Sequence, residues 1–152
     1  MNYWITEYRC GQRVAPKDIL DEITCMIEQV NIKLNKTVVG IIKEKFKQSL
    51  LDLSWENEVR LDAFSKISIT SIKNRVGLCL QTGNVSRIYA DLLKLQTLFI
   101  TGRIDVGIIV VPMSRAGKML GGNLASYERL NRELEIFSGT ITMPIVIVGF
   151  DE

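Results

Sequence analysis

The spacing of apolar residues predicts two helices near the start of the chain, followed by a change to strands. Residues 17–34 carry apolar side chains at spacings of three and four, as an amphipathic helix does, and residues 38–51 repeat that spacing. Between residues 55 and 70 apolar positions alternate with polar ones, which predicts two strands. The period therefore changes from helical to extended after the first third of the chain.

The second half of the chain alternates short aliphatic runs with amphipathic stretches. Strands are predicted at residues 76–81, 104–111 and 144–150, and helices at residues 85–99 and 124–137. The last two strands are aliphatic almost throughout, which is typical of strands buried on both faces of a sheet. Residues 113–123 contain several glycines and are predicted to form a loop.

This order of elements predicts one α/β domain over residues 1–152, with a mixed central sheet flanked by helices. The chain is 47% hydrophobic and 24% charged, which is enough to form a buried core. It has no histidine, and this excludes Ser-His-Asp and Cys-His nucleophiles as well as imidazole metal ligands. Its net charge of +2 neither requires nor excludes binding to nucleic acid.

The cysteines and the short apolar runs indicate where the protein acts. Cys10, Cys25 and Cys79 are an odd number at unrelated spacings, which predicts free thiols in a reducing compartment. No apolar run is long enough to cross a bilayer, and no signal segment opens the chain. We therefore expect a cytoplasmic protein with no membrane partner.

The stretch VGLCLQTGN, residues 76–84, places the polar side chain of Gln81 at the end of a predicted core strand. In α/β folds, binding sites form where a strand ends and a helix follows. The alternative is that Gln81 satisfies backbone groups beside the turn. Basic and amide residues nearby are candidates for phosphate contact, with ordinary solvated surface as the alternative. These candidates are Lys73, Asn74, Arg75, Asn84 and Arg87, with Arg115 and Lys118 from the predicted loop.

The segment KNRVGLCLQTGNVSRIYADLLKLQTLFITGRIDVGIIVVP, residues 73–112, resembles the core of the BglII/BstYI family of type II restriction endonucleases. That family shows a Lys-x-Arg-Val stretch, a strand with Glu-x-Gln-x-Gly, an amphipathic helix and then an Ile-Asp-Val-Gly strand. Weaker similarity extends over nearly the whole chain. The resemblance implies a restriction-endonuclease-like core of the PD-(D/E)xK nuclease class.

The resemblance also assigns three motif positions. In the family, two acidic residues hold Mg²⁺, and a glutamine replaces the usual lysine. Gln81 matches that glutamine, whereas the glutamate falls on Cys79 and the aspartate falls on Thr70. A protonated thiol and a neutral hydroxyl are poor ligands for a hard cation, which prefers carboxylate oxygen. Ordinary two-carboxylate Mg²⁺ catalysis is therefore not expected.

Three functions remain as alternatives. The first is a catalytically impaired pseudonuclease that binds double-stranded DNA and holds no cofactor. The second is an active Mg²⁺-dependent, site-specific endonuclease in which Asp62 or Glu58, together with Asp105, rebuilds the carboxylate site. The third is an inhibitor, immunity or regulatory subunit that uses the nuclease fold to bind another protein. The resemblance also implies a homodimer, because two-fold protein symmetry suits a palindromic DNA site.

Overall fold

The computed structural model describes residues 1–152 and is built on a mixed six-stranded sheet. Its strands are β1 (Asn2–Tyr8), β2 (Glu56–Arg60), β3 (Ser68–Lys73), β4 (Val76–Leu80), β5 (Val106–Pro112) and β6 (Ile145–Asp151). Their order across the sheet is β1-β6-β5-β4-β3-β2. Strands β4, β5 and β6 are parallel, and antiparallel strands extend the sheet at both edges. The connection from β4 to β5 is the predicted strand–helix–strand crossover.

Helices pack on both faces of this sheet. They are α1 (Gly11–Val14), α2 (Lys17–Gln29), α3 (Val39–Asp52), α4 (Arg87–Ile100), α5 (Ser114–Leu120) and α6 (Tyr127–Leu134), with a 3₁₀ turn at Glu135–Phe137. Helices α2, α3 and α5 share one core with Leu78 and Ile108, while α4 and α6 share the other with Cys79 and Ile109. Successive residues of the central strands thus enter opposite cores, which explains their continuous aliphatic sequence. None of the helices is both long and apolar enough to cross a membrane.

The structure confirms the α/β class, the mixed sheet and each predicted helix and strand, with shifted ends. The largest shift is in the helix predicted over residues 17–34, which ends at Gln29. The apolar spacing continues beyond that point because Leu34 is still buried in the core. Its backbone N–H, however, donates to the carboxylate of Glu152 rather than to a helical carbonyl.

Three elements, β1, α1 and α5, were not predicted, and the prediction of a loop over residues 113–123 is wrong. Helix α5 occupies Ser114–Leu120 of that segment. A distant carboxylate stabilises the start of this helix, because Glu128 accepts from the Ser114 N–H at 2.9 Å and from its hydroxyl at 2.6 Å. Strand β1 is mostly exposed and forms by pairing with β6, so its own sequence carries little alternation.

Strands β3 and β4 pair at one end and separate at the other. A two-residue turn joins them, and ladder pairs run from Lys73↔Val76 to Ser71↔Leu78. Beyond that point the Leu80 N–H donates to the hydroxyl of Thr70 at 3.0 Å instead of to a ladder carbonyl. The separation leaves a fork in the sheet at the carboxyl end of β4.

Candidate functional site

A cleft of about 580 Å³ opens in the fork between β3 and β4. Its walls come from α3, from β2 and β3, and from α4 together with the end of β4. The charged and polar lining comprises Lys43, Lys47, Asn57, Glu58, Ser68, Thr70, Gln81, Arg87, Asp91 and Lys94. Four of these side chains are cationic and two are carboxylates, so the cleft carries an excess of positive charge.

Gln81 lies at the inner end of the cleft with both ends of its amide engaged. The side chain is buried, at 6% exposure, and lies on the α4 face of the sheet. Its Oε1 accepts from the Gly83 N–H at 2.8 Å, and its Nε2 donates to Asp91. Gln81 therefore has both of the predicted roles: it satisfies a backbone group of the turn, and it lines a cleft.

Asp91 and Lys94 were not among the residues predicted for the site. The ammonium of Lys94 donates to Asp91 Oδ1 at 2.9 Å, and the two side chains are 26% and 9% exposed. The sequence did contain a signal for Asp91. Its place three residues after Ile88 puts it inside the apolar stripe of α4, where an unpaired carboxylate would be costly.

The two motif positions that depart from the family are in different surroundings. Thr70 lines the cleft, and its hydroxyl is the acceptor for the Leu80 N–H. Cys79 is 1% exposed and packs in the core beneath α4, outside the cleft lining. Burial, reinforced by the nearby charge of Asp91, raises the pKa of the Cys79 thiol well above its usual value. The sulfur is thus held as a neutral thiol.

Glu58 is the carboxylate that approaches the position of Thr70. It lies between the ladder pairs Asn57↔Ser71 and Val59↔Ile69, which places it opposite Thr70 on the neighbouring strand. Its φ of +54° is in the left-handed region, an unusual conformation for a glutamate within a strand. The side chain is 79% exposed and lies 3.7 Å from the ammonium of Lys47.

Several predicted residues lie at the opposite end of β4, where the two-residue turn closes the hairpin. Lys73 donates to Glu22 at 2.6 Å and to the carbonyl of Leu53 at 2.8 Å. Arg75 binds both carboxylate oxygens of Asp105, each at 2.7 Å. Hydrogen bonding by this guanidinium lowers the pKa of Asp105. The structure does not bring Asp105 beside Gln81, as the active-endonuclease alternative requires, because these residues are at opposite ends of adjacent parallel strands.

The remaining candidates are dispersed around the fold. Asp62 lies outside the cleft lining, in the exposed turn after β2, where it accepts from the Phe64 N–H at 2.7 Å. Asn84 accepts from the Ser86 N–H at 3.0 Å in the turn before α4, and Asn74 is an exposed turn residue. Helix α5 carries an exposed Lys118 and Arg115, which pairs with Asp151 at 3.1 Å. Of the seven predicted phosphate contacts, only Arg87 lines the cleft.

The two motif positions of the cleft do not supply the carboxylates of a two-carboxylate Mg²⁺ site. The structure contains no group of three or more Cys, Asp or Glu side chains arranged to hold a metal ion. The carboxylates of the cleft, Glu58 and Asp91, each face a lysine ammonium. Thr70 and Cys79 offer a neutral hydroxyl and a neutral thiol, whereas Mg²⁺ in proteins is usually held by carboxylate oxygens together with water.

Comparison with known proteins identifies the family. A sequence model of restriction endonuclease BglII/BglIII matches residues 3–150. The type II restriction enzyme BamHI of Bacillus amyloliquefaciens is 28% identical over 91 residues, which are 60% of this chain and 41% of that enzyme. The matched segment therefore spans less than half of BamHI.

Solved structures agree with this assignment at the level of the fold. Restriction endonuclease BglII complexed with a DNA 16-mer superposes on 100% of this chain and 77% of its own, with a TM-score of 0.88 and 15% identity. Free BglII superposes on 100% of this chain and 80% of its own, with a TM-score of 0.75 and 16% identity. The family-model match over residues 3–150 confirms the family that residues 73–112 resemble. The chain belongs to the BglII/BglIII restriction endonuclease family.

Proposed function

We propose that this protein is a pseudonuclease, which binds double-stranded DNA but does not cleave it by the Mg²⁺-dependent mechanism of its family. The observation that carries this proposal is the state of the two departed motif positions. The hydroxyl of Thr70 is committed to a backbone N–H, and the thiol of Cys79 is sealed in the core. Neither side chain supplies the carboxylate oxygen by which proteins usually hold a hard divalent cation.

The cationic cleft supports DNA as the ligand. Lys43, Lys47, Arg87 and Lys94 lie around one opening, and lysine and arginine are the side chains that contact DNA phosphates. Within the family, BglII was solved in complex with a DNA 16-mer. Phosphate contacts would come from these cations, so the proposed binding does not require the missing carboxylates.

Two measurements on the purified protein test this function. Plasmid and genomic DNA are incubated with the protein and Mg²⁺ or Mn²⁺, and we expect no metal-dependent cutting. Fluorescence anisotropy with a labelled duplex should show binding that weakens steeply with salt, as phosphate contacts do. Robust cleavage would overturn the proposal. Absence of binding at low salt would instead favour the inhibitor, immunity or regulatory class, which binds protein.

A second candidate is an active endonuclease with a rebuilt site. The observation that favours it is the pair of carboxylates in the cleft, Glu58 opposite Thr70 and Asp91 beside Gln81. In that case any Mg²⁺-dependent cleavage would disappear in Glu58→Gln and in Asp91→Asn, while Asp62→Ala would keep it. Cleavage that survives in both cleft variants would reject this candidate.

We also propose that the protein is a homodimer, as its family resemblance implies. Exposed apolar side chains support self-association, since Leu93 and Ile100 are seven residues apart on the outer side of α4 and Ile136 is exposed in the 3₁₀ turn. Light scattering after size exclusion should give twice the chain mass. The double variant Leu93→Glu, Ile100→Glu should give the mass of one chain, and an unchanged mass would exclude this surface.

A further inference from the structure

We infer that the cleft binds a backbone phosphate of DNA directly through Lys94 and the cations of its rim, without a divalent metal ion. This inference rests on the proposed DNA binding and specifies how that binding is achieved. The motif positions of the cleft lack the carboxylates of a Mg²⁺ site, and its lining carries an excess of positive charge. Such a lining favours an anion over a metal cation.

Lys94 is the central group because its ammonium is fixed but only partly used. Gly83 orients the amide of Gln81, that amide binds Asp91, and Asp91 binds Lys94, so a chain of hydrogen bonds holds the ammonium. An ammonium has three donors, and one of the Lys94 donors is used by Asp91. The other donors belong to a half-buried side chain that lines the cleft, where a phosphate oxygen would satisfy them.

The rim supplies positive charge from two opposing walls. Lys43 and Lys47 come from α3, whereas Arg87 and Lys94 come from α4. The carboxylates of Glu58 and Asp91 offset two of these four positive charges, so the lining keeps an excess of positive charge. An anion in the cleft would therefore be attracted from both sides, while a divalent cation would be repelled.

The size of the cleft favours a phosphate that belongs to a nucleic-acid backbone. Its volume of about 580 Å³ is many times the ~30 Å³ that a water molecule occupies in the liquid, which leaves room for the attached sugars. The fork is also open to solvent between the walls, as a site for a continuous strand must be. Free phosphate shares the same chemistry and is the competing ligand to be distinguished.

The test measures duplex binding by fluorescence anisotropy in EDTA and in Mg²⁺, across a series of salt concentrations. We expect binding without Mg²⁺, and a loss of about tenfold in affinity for Lys94→Gln, with the slope of log K against log salt reduced by about 0.9. Lys43→Gln should also lower the affinity and reduce the slope. The matched control is Lys45→Gln, which removes the same charge from the same helix outside the cleft and should bind as the native protein does.

A variant of opposite sign separates this role from a structural one. Asp91→Asn keeps one oxygen that can accept from Gln81, but it removes a negative charge and the acceptor of Lys94, which frees that ammonium for a phosphate. If Asp91 and Lys94 formed only a stabilising pair, both variants would weaken binding through loss of structure. The inferred role predicts that Asp91→Asn tightens binding, by about threefold, because the positive charge of the cleft increases.

Four outcomes would overturn the inference. The inference is overturned, and the proposed function survives, if DNA binds but the cleft variants match Lys45→Gln, or if binding requires Mg²⁺. Absence of DNA binding overturns both. Inorganic phosphate at equal ionic strength should compete weakly with the duplex. Binding of free phosphate by the native protein, lost in Lys94→Gln without any change in DNA affinity, would assign the cleft to the free ion and reject the backbone.

Discussion

The two ends of strand β4 carry similar charged residues, but these residues are paired in different ways. At the end joined to β3 by the turn, Lys73 pairs with Glu22 at 2.6 Å and Arg75 pairs with Asp105 at 2.7 Å. At the forked end, Lys94 pairs with Asp91 and Lys47 pairs with Glu58, but the structure shows no ion pair for Arg87 or for Lys43 on the opposite wall. The difference between the ends is therefore the cations that remain without an ion pair, and these occur at the end proposed to bind DNA.

The turn explains why the two ends differ. Asn74 and Arg75 both have positive φ, at +48° and +63°, which is the twist of a tight two-residue hairpin. The strands therefore cannot separate at that end, and charged side chains there bridge neighbouring elements. At the other end the ladder stops after Ser71↔Leu78, so space opens between strands and charged side chains reach into it.

The largest effect is expected when carboxylates are placed at the two motif positions of the forked end. The double variant Thr70→Asp, Cys79→Glu adds charge beside Asp91, so without metal it should lose on the order of 3–5 kcal/mol of unfolding free energy. Mn²⁺ should recover much of that loss, since three carboxylates would then surround the ion. Urea titrations with and without Mn²⁺ measure both effects. Thr70→Asp alone is the control, and no metal effect in the double variant would reject the assignment of these motif positions.

At the end of β4 that is joined to β3 by the turn, a substitution should change the stability of the fold but not the affinity for DNA. Lys73→Met leaves the Glu22 carboxylate and the Leu53 carbonyl without their shared donor, which should cost about 2 kcal/mol of unfolding free energy. The affinity for a DNA duplex should stay unchanged. Lys66→Met, an exposed residue in the turn before β3, serves as the control for loss of one charge. A large loss of DNA affinity in Lys73→Met would erase the distinction between the ends.

Arg75 and Arg87 were both predicted to contact phosphate, but they lie at opposite ends of β4, so they test the difference between the two ends directly. Arg87→Gln should weaken duplex binding by about fivefold, or ~1 kcal/mol, since it removes a cation from the cleft. Arg75→Gln removes the same charge at the paired end and should leave affinity within twofold, by the same reasoning. Anisotropy titrations at one salt concentration compare the two directly. Equal losses in both variants would mean that DNA contacts both ends.

The smallest expected effect concerns the backbone at the forked end. Glu58 adopts a left-handed conformation, so Glu58→Gly should raise the unfolding free energy by up to about 1 kcal/mol by removing that strain. Glu56→Gly on the same strand is the control and should be destabilising, because it adds only chain entropy to the unfolded state. Thermal unfolding followed by circular dichroism measures both. A destabilised Glu58→Gly would mean that the conformation costs nothing in this fold.

The sequence predicted the elements that carry a strong internal period and missed those made by distant partners. The helix around Leu92 and Leu95 and the buried strands were expected from apolar spacing, whereas β1 depends on β6 and α5 depends on Glu128. The same limit applies to the site. Resemblance identified Gln81 and Thr70, but Lys43 and Lys94 meet across the cleft only because α3 and α4 pack beside the fork, and no local pattern encodes that meeting.

The Thr70 hydroxyl, which accepts from the Leu80 N–H where β3 and β4 separate, affects which substitutions the site can tolerate. Aspartate carries its acceptor oxygens on Cγ, one bond further from the backbone than the Oγ1 of threonine. An aspartate at residue 70 could therefore still accept from the Leu80 N–H after a small adjustment of its side chain. Cys79 has no such freedom, because a longer carboxylate there must displace packed side chains beneath α4. Restoring a carboxylate at residue 70 should therefore disturb the fold less than restoring one at residue 79. The second change places a longer side chain in the core, so it should regain metal binding only at a cost in packing.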